Sequence, residues 1–274
     1  MLKKSKHISV KTSHKNLSIQ FSLDGFSFCV TDANSKRVMS LVAYIFEEKV
    51  ATPEHLLSKI KQIFNSNSHL QQHFSTINVI HQNSLSSLIP NAYFDENQLA
   101  SYLNYSIKTL VNDHIVYDDI ADLEAKNCYI PFVNINNFLF QNFGEFEYKH
   151  HTTVLIEKLL QIKNTGESLS FYVNVSTTSL DIIVFEGRTI QLVNNFNYDT
   201  KEDFLYYILF VAEQLNLDPN TMMVTFLGEI DMDSDLYKIA YDYIRHLDFI
   251  NQNLSFFKDS DEFFQHSNYT LTPQ

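Results

Sequence analysis

Glycine is scarce in this sequence, which has five among its 274 residues. Average usage near 7% would give about 19. The five are Gly25, Gly144, Gly166, Gly187 and Gly228, and they lie far apart along the chain. The dinucleotide fingerprint G-x-G-x-x-G, the phosphate loop G-x-x-x-x-G-K-[ST] and the nucleophile elbow G-x-S-x-G all need closely spaced glycines. The sequence therefore excludes all three motifs.

Positive charge and long apolar runs are also in short supply. Lys and Arg total 20 against 32 Asp and Glu, for a formal net charge of −12. A negative field of this size repels phosphate backbones, so no nucleic-acid partner is expected. The longest apolar run, residues 204–212, is well short of the roughly 20 residues that cross a bilayer. We therefore expect a protein that is not integral to a membrane.

Cysteine is limited to Cys29 and Cys128, so at most one disulfide can form. A chain of this length can bury a core that needs none. The basic residues Lys3, Lys4 and Lys6 precede polar residues rather than an apolar stretch, which argues against a signal peptide. These features predict a cytoplasmic protein.

The N-terminal portion has the pattern of a strand meander. Residues 17–23 alternate between apolar and polar side chains, at the period of a half-buried strand. Asp24-Gly25 suits a two-residue type I′ turn, and two more strands are predicted at 26–30 and 38–45. Thr52-Pro53 then provides the start of a helix, after which residues 77–80 form a short buried strand.

The same order of elements is predicted again about 150 residues later. It consists of strands at 169–173, 181–185 and 190–193, a helix at 200–215, a strand at 223–227, a helix at 236–244 and a strand at 247–250. Between the two copies, the patterns predict helices at 94–105, 136–142 and 151–161 and a β-rich stretch at 116–133. We expect an N-terminal half over 1–162, with a segment inserted at about 83–133, and a C-terminal half over 163–274. No flexible linker separates them, so the halves are expected to pack closely.

This doubled α/β organisation resembles the actin-like ATPase fold, which is built from two ribonuclease H-like halves around a cleft. The whole chain also resembles the domain of unknown function 3822 family, found among bacteria related to Bacteroides. The resemblance is carried by residues 87–94, 102–104, 193–207 and 227–230 and by the His150-His151 pair. More distantly, the layout is similar to the actin-like proteins of type IV pilus and type II secretion machinery. The family implies a fold and no established activity.

The resemblance implies where a nucleotide would bind in an active relative. ATP with magnesium would lie between the halves, its phosphates held by two hairpin turns and its adenosine by a glycine-rich turn. The first turn usually reads D-x-G-[ST], where backbone N–H groups and the Asp serve phosphate and magnesium. Here it reads Asp24-Gly25-Phe26-Ser27, with the spacing off by one. A two-residue hairpin also has too few N–H groups to surround a phosphate.

The other two turns depart from the same pattern. The second, with Asn174, Ser176 and Thr177, has hydroxyls but lacks the acidic residue and the glycine, since Asp181 belongs to the next strand. At the adenosine position, paired glycines are reduced to Gly228-Glu229, and a carboxylate there is unfavourable near phosphates. These departures predict a pseudo-ATPase that holds no cofactor and has no catalytic residues. If a nucleotide does bind, the candidate contacts are Asp24, Gly25, Ser27, Asn174, Ser176, Thr177 and Gly228.

Several other patterns have chemical and structural interpretations. His69 and His73 could share a helix face as metal ligands, but no third ligand is evident, so a solvated pair is favoured. Residues 231–235 resemble a calcium loop that lacks the required glycine, and an acidic helix cap is favoured. Ser58 and Lys61 have the spacing of a serine–lysine hydrolase without its partner motifs. No metal site is therefore predicted.

Two further segments keep both interpretations. The His150-His151 pair opens a predicted helix and serves either capping and packing or a ligand or partner contact. The C-terminal segment has acidic residues and aromatic rings that either pack on the core or form a docking surface. Its members are Phe256, Phe257, Asp259, Asp261, Glu262, Phe263 and Phe264.

Three functions therefore remain open. The first is a non-catalytic actin-like protein that works through an unidentified protein partner. The second is an ATPase that uses Asp24, Asn174 and Gly228 in an unusual geometry. The third is a small-molecule binder with an apolar pocket between the halves. The sequence names neither the partner nor the oligomeric state.

Overall fold

The computed structural model describes residues 1–8, 12, 14–48, 50–105, 107–110, 112–163, 169–258, 260 and 262–273. The chain forms two compact units. Unit 1 comprises Met1–Leu155, Ser255–Glu262 and Thr270–Gln274, and unit 2 comprises Ile156–Leu254 and Phe263–Tyr269. Among the described residues, no helix has both the length and the apolar character needed to span a bilayer.

Unit 1 is built on a six-stranded sheet in the order β1-β4-β3-β2-β5-β9. Its strands are β1 (Leu2–His7), β2 (Lys15–Ser22), β3 (Gly25–Asp32), β4 (Val38–Ile45), β5 (Thr76–His81) and β9 (Glu147–His150). Strands β1 to β4 pair antiparallel, whereas β5 pairs parallel to β2 and β9 pairs parallel to β5. The predicted meander and the strand after the first helix are confirmed.

One face of this sheet carries the core of unit 1. Helices α1 (Pro53–Ser66) and α3 (Val133–Phe143) pack their apolar stripes against alternate residues of β2 and its neighbours. Thr52 caps α1 because its hydroxyl accepts the His55 N–H, and Pro53 begins the helix. The alternation of Leu17, Ile19 and Phe21, all buried, places these side chains on the helix-covered face.

The segment between β5 and α3 forms a separate three-stranded sheet in the order β6-β8-β7. Its strands are β6 (Ser86–Pro90), β7 (Val116–Ile120) and β8 (Ala125–Tyr129). The predicted helix over 94–105 is shorter than expected: a 3₁₀ turn at Glu96–Gln98 precedes α2 (Leu99–Leu103). Asp95 caps the 3₁₀ turn by accepting the Asn97 N–H, and that local bond competes with a continuous helix.

Unit 2 contains a five-stranded sheet in the order β12-β11-β10-β13-β14. The strands are β10 (Leu169–Val175), β11 (Ser179–Glu186), β12 (Thr189–Asn197), β13 (Met223–Gly228) and β14 (His246–Phe249). Helix α4 (His151–Ile162) precedes them, and α5 (Lys201–Gln214) and α6 (Asp235–Tyr243) contribute to the core on one face of the sheet. Thr200 and Asp203 form a capping box at the start of α5.

The two sheets share one strand order. In each unit, three antiparallel strands are followed by a helix, a strand parallel to the first, a helix, and a last parallel strand. This is the predicted doubled arrangement of ribonuclease H-like halves. Unit 1 adds β1 outside β4, a strand that the sequence did not predict because its residues Leu2–His7 show no apolar alternation.

The C-terminal aromatic segment packs mainly into the protein. Phe256, Phe257 and Phe263 are buried, whereas Phe264 is 44% exposed. In unit 1, the Lys6 ammonium donates to the Lys258 carbonyl oxygen at 2.8 Å. The interpretation as a packed segment is therefore confirmed for Phe256, Phe257 and Phe263. Asp259 and Asp261, named with the same segment, lie outside the described residues.

Candidate functional site

The first predicted phosphate turn joins β2 to β3 in unit 1. The prediction of a type I′ turn at Asp24-Gly25 is wrong, because the turn residues are Leu23 and Asp24 and Gly25 already pairs with Ser22. Among the described glycines, those with positive φ are Gly144, Gly187 and Gly228, so Gly25 does not have the conformation of a type I′ turn.

Gly25 is needed for a different reason. A Cβ atom at this position would lie 2.6 Å from the carbonyl oxygen of Tyr44 on the neighbouring strand. The carbonyl oxygens of the turn also accept hydrogen bonds from residues that follow β4. The Phe46 N–H donates to the Asp24 oxygen at 2.8 Å, and the Val50 N–H donates to the Leu23 oxygen at 2.9 Å. The Asp24 N–H donates to the Ser22 hydroxyl at 3.1 Å. Sheet packing therefore accounts for Gly25 and for the turn geometry.

Ser27 lies inside β3 rather than on the turn. It pairs with Gln20 on one side and with Ala43 on the other. Gln20 in turn bonds to the Gln82 side chain at 2.7 Å and accepts the Thr270 hydroxyl. The structure therefore places Asp24 on the turn and Ser27 inside β3.

The second predicted turn follows β10 in unit 2. The Ser176 N–H donates to the Ser179 carbonyl at 2.8 Å, and the Tyr198 hydroxyl donates to the Ser176 carbonyl at 2.6 Å. Thr177 is exposed at the turn. The backbone N–H and carbonyl of Ser176 are thus both bonded within the protein, to Ser179 and Tyr198. The contact with Tyr198 was not predicted from the sequence.

Asn174 belongs to a polar ladder across three strands. Its amide donates to one carboxylate oxygen of Asp181 at 2.9 Å, and the Asn195 amide donates to the other at 2.8 Å. The three residues are direct cross-strand neighbours on β10, β11 and β12. Asp181 is 3% exposed, and these two charge-assisted bonds compensate its burial. Asn174 is therefore engaged within the sheet.

The third predicted turn is at Gly228, where β13 ends. Its φ is +85°, and a Cβ atom would collide with the Val175 carbonyl oxygen. Gly228 N–H donates to the His266 carbonyl at 2.9 Å, and Glu229 N–H donates to the Val175 carbonyl at 2.8 Å. The two N–H groups of this turn are therefore donated to protein carbonyls of unit 2. Glycine is required here by positive φ and by close approach of the β10 backbone.

A cluster of buried polar groups lies in unit 1 at the carboxyl ends of two parallel strands. His81 ends β5 and His150 ends β9, and the two residues are neighbours in the parallel register. Both histidines are fully buried. His150 stands out in the sequence as part of a histidine pair, whereas the only sequence signal of His81 is its position at the end of a predicted buried strand.

Hydrogen bonds define the tautomer of each ring. His81 Nδ1 accepts the Phe132 N–H at 3.1 Å, so Nε2 carries the proton toward Asn136 Oδ1 at 2.9 Å. His150 Nε2 lies 3.1 Å from the Asn83 carbonyl oxygen and must donate, which leaves Nδ1 to accept the Thr152 N–H at 3.3 Å. Burial lowers the pKa of His81 to about 3 and, with the neighbouring His151, lowers the pKa of His150 well below its usual value. Both rings are therefore neutral at pH 7.

Asp118 and Tyr129 complete this cluster from the three-stranded sheet β6-β8-β7, called here the inserted sheet. The Tyr129 hydroxyl donates to Asp118 Oδ1 at 3.0 Å, and the His150 N–H donates to Oδ2 at 2.8 Å. Burial raises the pKa of Asp118, although these bonds oppose the shift, and burial together with Asp118 raises the pKa of Tyr129. The bonds tie the inserted sheet to the end of β9. The capping and packing interpretation of His150-His151 is therefore supported by both burial and hydrogen bonding.

The disfavoured alternative for His69 and His73, a shared helix face, is wrong. Helix α1 ends at Ser66, where Asn67 adopts an extended conformation and its side chain accepts the His69 N–H to start a 3₁₀ turn over Ser68–Gln71. His69 instead stacks on His7, with ring centroids 4.5 Å apart. Over the part of the chain that the structure describes, no group of three or more His, Cys, Asp or Glu is placed to hold a metal ion.

Two other patterns have structural roles. Ser234 caps α6 by accepting the Tyr237 N–H, with Asp235 in the first turn, and Asp231 accepts the Asp233 N–H just before it. The acidic run is thus the start of a helix, as favoured, although the capping residue is a serine. Ser58 and Lys61 lie on α1, and the Lys61 ammonium lies over the Phe138 ring.

Comparisons with known proteins agree with this architecture. A family model described as "Protein of unknown function (DUF3822)" matches residues 4–247. A solved protein of Bacteroides thetaiotaomicron, described as having an actin-like ATPase fold and unknown function, is similar with a TM-score of 0.76 at 22% identity. That match covers 86% of this chain and 91% of the other.

A second solved structure, described as a PilM–PilN type IV pilus biogenesis complex, matches with a TM-score of 0.55 at 11% identity. It covers 86% of this chain and 88% of that one. At these identities, both likenesses establish the fold alone. No curated protein matches this sequence.

Proposed function

The chain belongs to the DUF3822 family and has the actin-like ATPase fold, and from this premise we propose that it is a non-catalytic cytoplasmic protein that works by binding another protein. The observation that carries the proposal is the closed turn at Gly228. An adenosine- or phosphate-binding turn presents backbone N–H groups to its ligand. Here the N–H groups of Gly228 and Glu229 are donated to the carbonyl oxygens of His266 and Val175.

The two hairpin turns support the same conclusion. At the first, the Asp24 N–H is donated to Ser22, and Ser27 lies within the strand. At the second, the Ser176 N–H is donated to Ser179, and Asn174 is bonded to Asp181. Opening these turns for a nucleotide would leave backbone groups without partners, each at a cost of about 1–3 kcal/mol if it stays buried. The candidate contacts do not fit ATP with magnesium.

A partner-binding role is consistent with the range of uses of this fold. The similar structure described as a PilM–PilN complex contains the fold in an assembly of two proteins. A fold that keeps its core while losing ligand-facing N–H groups can still present surfaces to a partner. We take protein binding as the function because it requires no chemistry from the three turns.

Thermal unfolding with and without ATP and magnesium tests the non-catalytic half of the proposal. A ligand at 100 times its Kd stabilises a protein by about 2.7 kcal/mol, which for units of this size raises Tm by several degrees, at about 2–4 °C per kcal/mol. We expect no rise in Tm for the native chain. A clear rise that is lost in Asp24→Ala but kept in Lys59→Ala, an exposed position on α1, would overturn the proposal.

Phosphate release provides the second measurement. We expect release from ATP to stay at background. Steady release that is abolished by Asp24→Ala and by Asn174→Ala would establish the alternative, an ATPase of unusual geometry. Affinity capture from the native cell then tests the binding half. The same partner is expected with the native chain and with Asp24→Ala, and loss of that partner on adding ATP would contradict a nucleotide-independent role.

A further inference from the structure

In each unit, the three antiparallel strands of the shared arrangement end in an outer strand, β4 in unit 1 and β12 in unit 2. These two strands differ in what lies on their outer side. In unit 1, the outer edge of β4 is covered by β1, which pairs antiparallel from Leu2 with Ile45 to His7 with Ser40. In unit 2, the equivalent strand is β12, and among the strands formed by the described residues it pairs with β11 alone. The internal repeat therefore shows that this edge of the fold accepts an added antiparallel strand.

The direction of one backbone bond identifies the groups on the outer side of β12. Tyr198 N–H donates to the Thr178 carbonyl on the β11 side at 3.1 Å. Because successive residues of a strand alternate their N–H groups between its two neighbours, Val193, Asn195 and Asn197 direct theirs outward. The Asn195 N–H is met by the side-chain oxygen of Asn194 at 2.9 Å, which occupies the place of a partner strand's carbonyl.

Strand β12 lacks the features that usually block edge pairing. Residues 189–197 contain no charged residue and no proline, in a chain where 19% of residues are charged. Exposed edge strands are usually protected by lysine, proline or a covering element. The strand is also nine residues long, which is enough for several successive backbone bonds.

An exposed aromatic surface lies beside this edge on α5. Tyr206 and Phe210 are 58% and 38% exposed, and their rings stack with centroids 5.9 Å apart. Tyr207 links them to β12, since it contacts Tyr206 and stacks on Phe196 at 4.5 Å. The equivalent helix of unit 1, α1, exposes Glu54, His55 and Lys59 instead. Of these two equivalent helices, the one with exposed aromatic rings belongs to the unit whose third strand has the open edge.

We propose that β12 and the aromatic surface of α5 form a dimer interface with a second copy of this chain. The two β12 strands run antiparallel about a two-fold axis at Asn195, which faces Asn195 of the partner subunit. Val193 then pairs with Asn197 of the partner subunit, so all three outward N–H groups bond to the partner strand. Asn195 exchanges its bond to the Asn194 side chain for one of these bonds. Both α5 helices lie on one face of the joined sheet, where Tyr206 and Phe210 lose their exposure.

A second copy fits this edge because the edge is self-complementary. Strand pairing is opposed by like charges placed opposite one another, and residues 189–197 present none. Each copy also has the exposed pair Tyr206 and Phe210, so in the dimer the aromatic surface of one copy packs on the aromatic surface of the other. Dimerisation through this edge does not require a nucleotide.

Light scattering and sedimentation equilibrium over a wide concentration range test the interface. We expect the native chain to reach twice its monomer mass of 31.9 kDa. Asn197→Pro removes an outward N–H without removing a bond to β11, so it is expected to give a monomer. Asn197→Ala, which keeps the N–H at the same position, is its matched control and is expected to stay dimeric.

The aromatic half of the interface has an independent test. Tyr206→Ser combined with Phe210→Ser changes exposed side chains only, and it is expected to weaken the dimer at least tenfold in Kd. Glu213→Ser, exposed on the same helix, is the control. If Asn197→Pro does not fold by circular dichroism, this double variant decides the question. A monomeric native chain, a monomer that instead takes up a foreign extended peptide, or a dimer unaffected by the double variant would each overturn the proposal.

Discussion

Replacing Gly228 by alanine is expected to destabilise unit 2 more than a glycine-to-alanine change at Gly144 or Gly25 destabilises unit 1. Two separate costs meet at Gly228. Its φ of +85° is one that alanine rarely adopts, and its Cβ would collide with the Val175 carbonyl oxygen. The other two glycines isolate these costs. Gly144 has φ +77° with no atom within 4 Å of an added methyl group, whereas Gly25 lacks positive φ but has the Tyr44 oxygen at 2.6 Å.

The expected magnitudes follow from this division. An unfavourable backbone conformation costs about 1–3 kcal/mol, which is the expected loss for Gly144→Ala. Crowding a packed position costs about 1–3 kcal/mol, which is the expected loss for Gly25→Ala. Gly228→Ala combines both, so we expect a loss of about 2–6 kcal/mol. The chain is therefore expected to tolerate the Gly144 change better than the Gly228 change.

Urea and thermal unfolding of the three variants, followed by circular dichroism and tyrosine fluorescence, provide the assay. The chain has 15 tyrosines and no tryptophan, so tyrosine is the intrinsic fluorophore. A difference in Tm of about 2–4 °C per kcal/mol is expected for units of this size. Equal destabilisation by Gly228→Ala and Gly144→Ala would refute the reasoning, because it would mean that the Val175 carbonyl moves aside at no cost.

Two further predictions concern pH and helix capping. Burial lowers the pKa of His81 and His150 and holds both neutral when folded, whereas the unfolded chain protonates them below about pH 6.5. Since the unfolded state then binds more protons, stability is expected to fall as pH drops from about 6.5 toward about 3, by up to about 1.4 kcal/mol per pH unit for each histidine. Asp118, whose pKa burial raises, acts in the opposite direction because its protonation at low pH relieves a buried charge. Urea unfolding across this pH range measures the slope, which His81→Gln should reduce, and a slope unchanged in that variant would contradict the assignment. At the start of α5, Thr200→Ala is expected to lower the free energy of unfolding by about 1 kcal/mol, because it removes the bond to the Asp203 N–H. Thr200→Ser should keep this bond. Equal melting temperatures for the two variants would contradict a role for the cap.

Much of the fold was predictable from local patterns. Alternation in β2 and β3 and the Thr52-Pro53 start of α1 depend on interactions within a few residues, and each appears where it was predicted. The doubled order of elements then indicated the two similar sheets.

The candidate site was predictable only in part. The approximate positions of the three turns could be read from the pattern, but the residues of the first turn, Leu23 and Asp24, could not, and neither could the partners of the N–H groups. At Gly228 the partner comes from a distant part of the chain, since His266 accepts the Gly228 N–H. The histidine His81 was missed for the same reason, because its partners Phe132 and Asn136 lie more than 50 residues away.

The sequence by itself determined the α/β class, the repeated order of elements and the exclusion of glycine-rich motifs, because these depend on composition and on short-range periodicity. Only the tertiary structure decided why two of the glycines are there. Gly25 and Gly228 lie where one strand's backbone approaches another too closely for a side chain, and such an approach is set by strand register across the sheet. Among the strands of the described residues β12 pairs with β11 alone, and this is equally a property of the sheet, since no pattern within residues 189–197 tells which strand lies beside them.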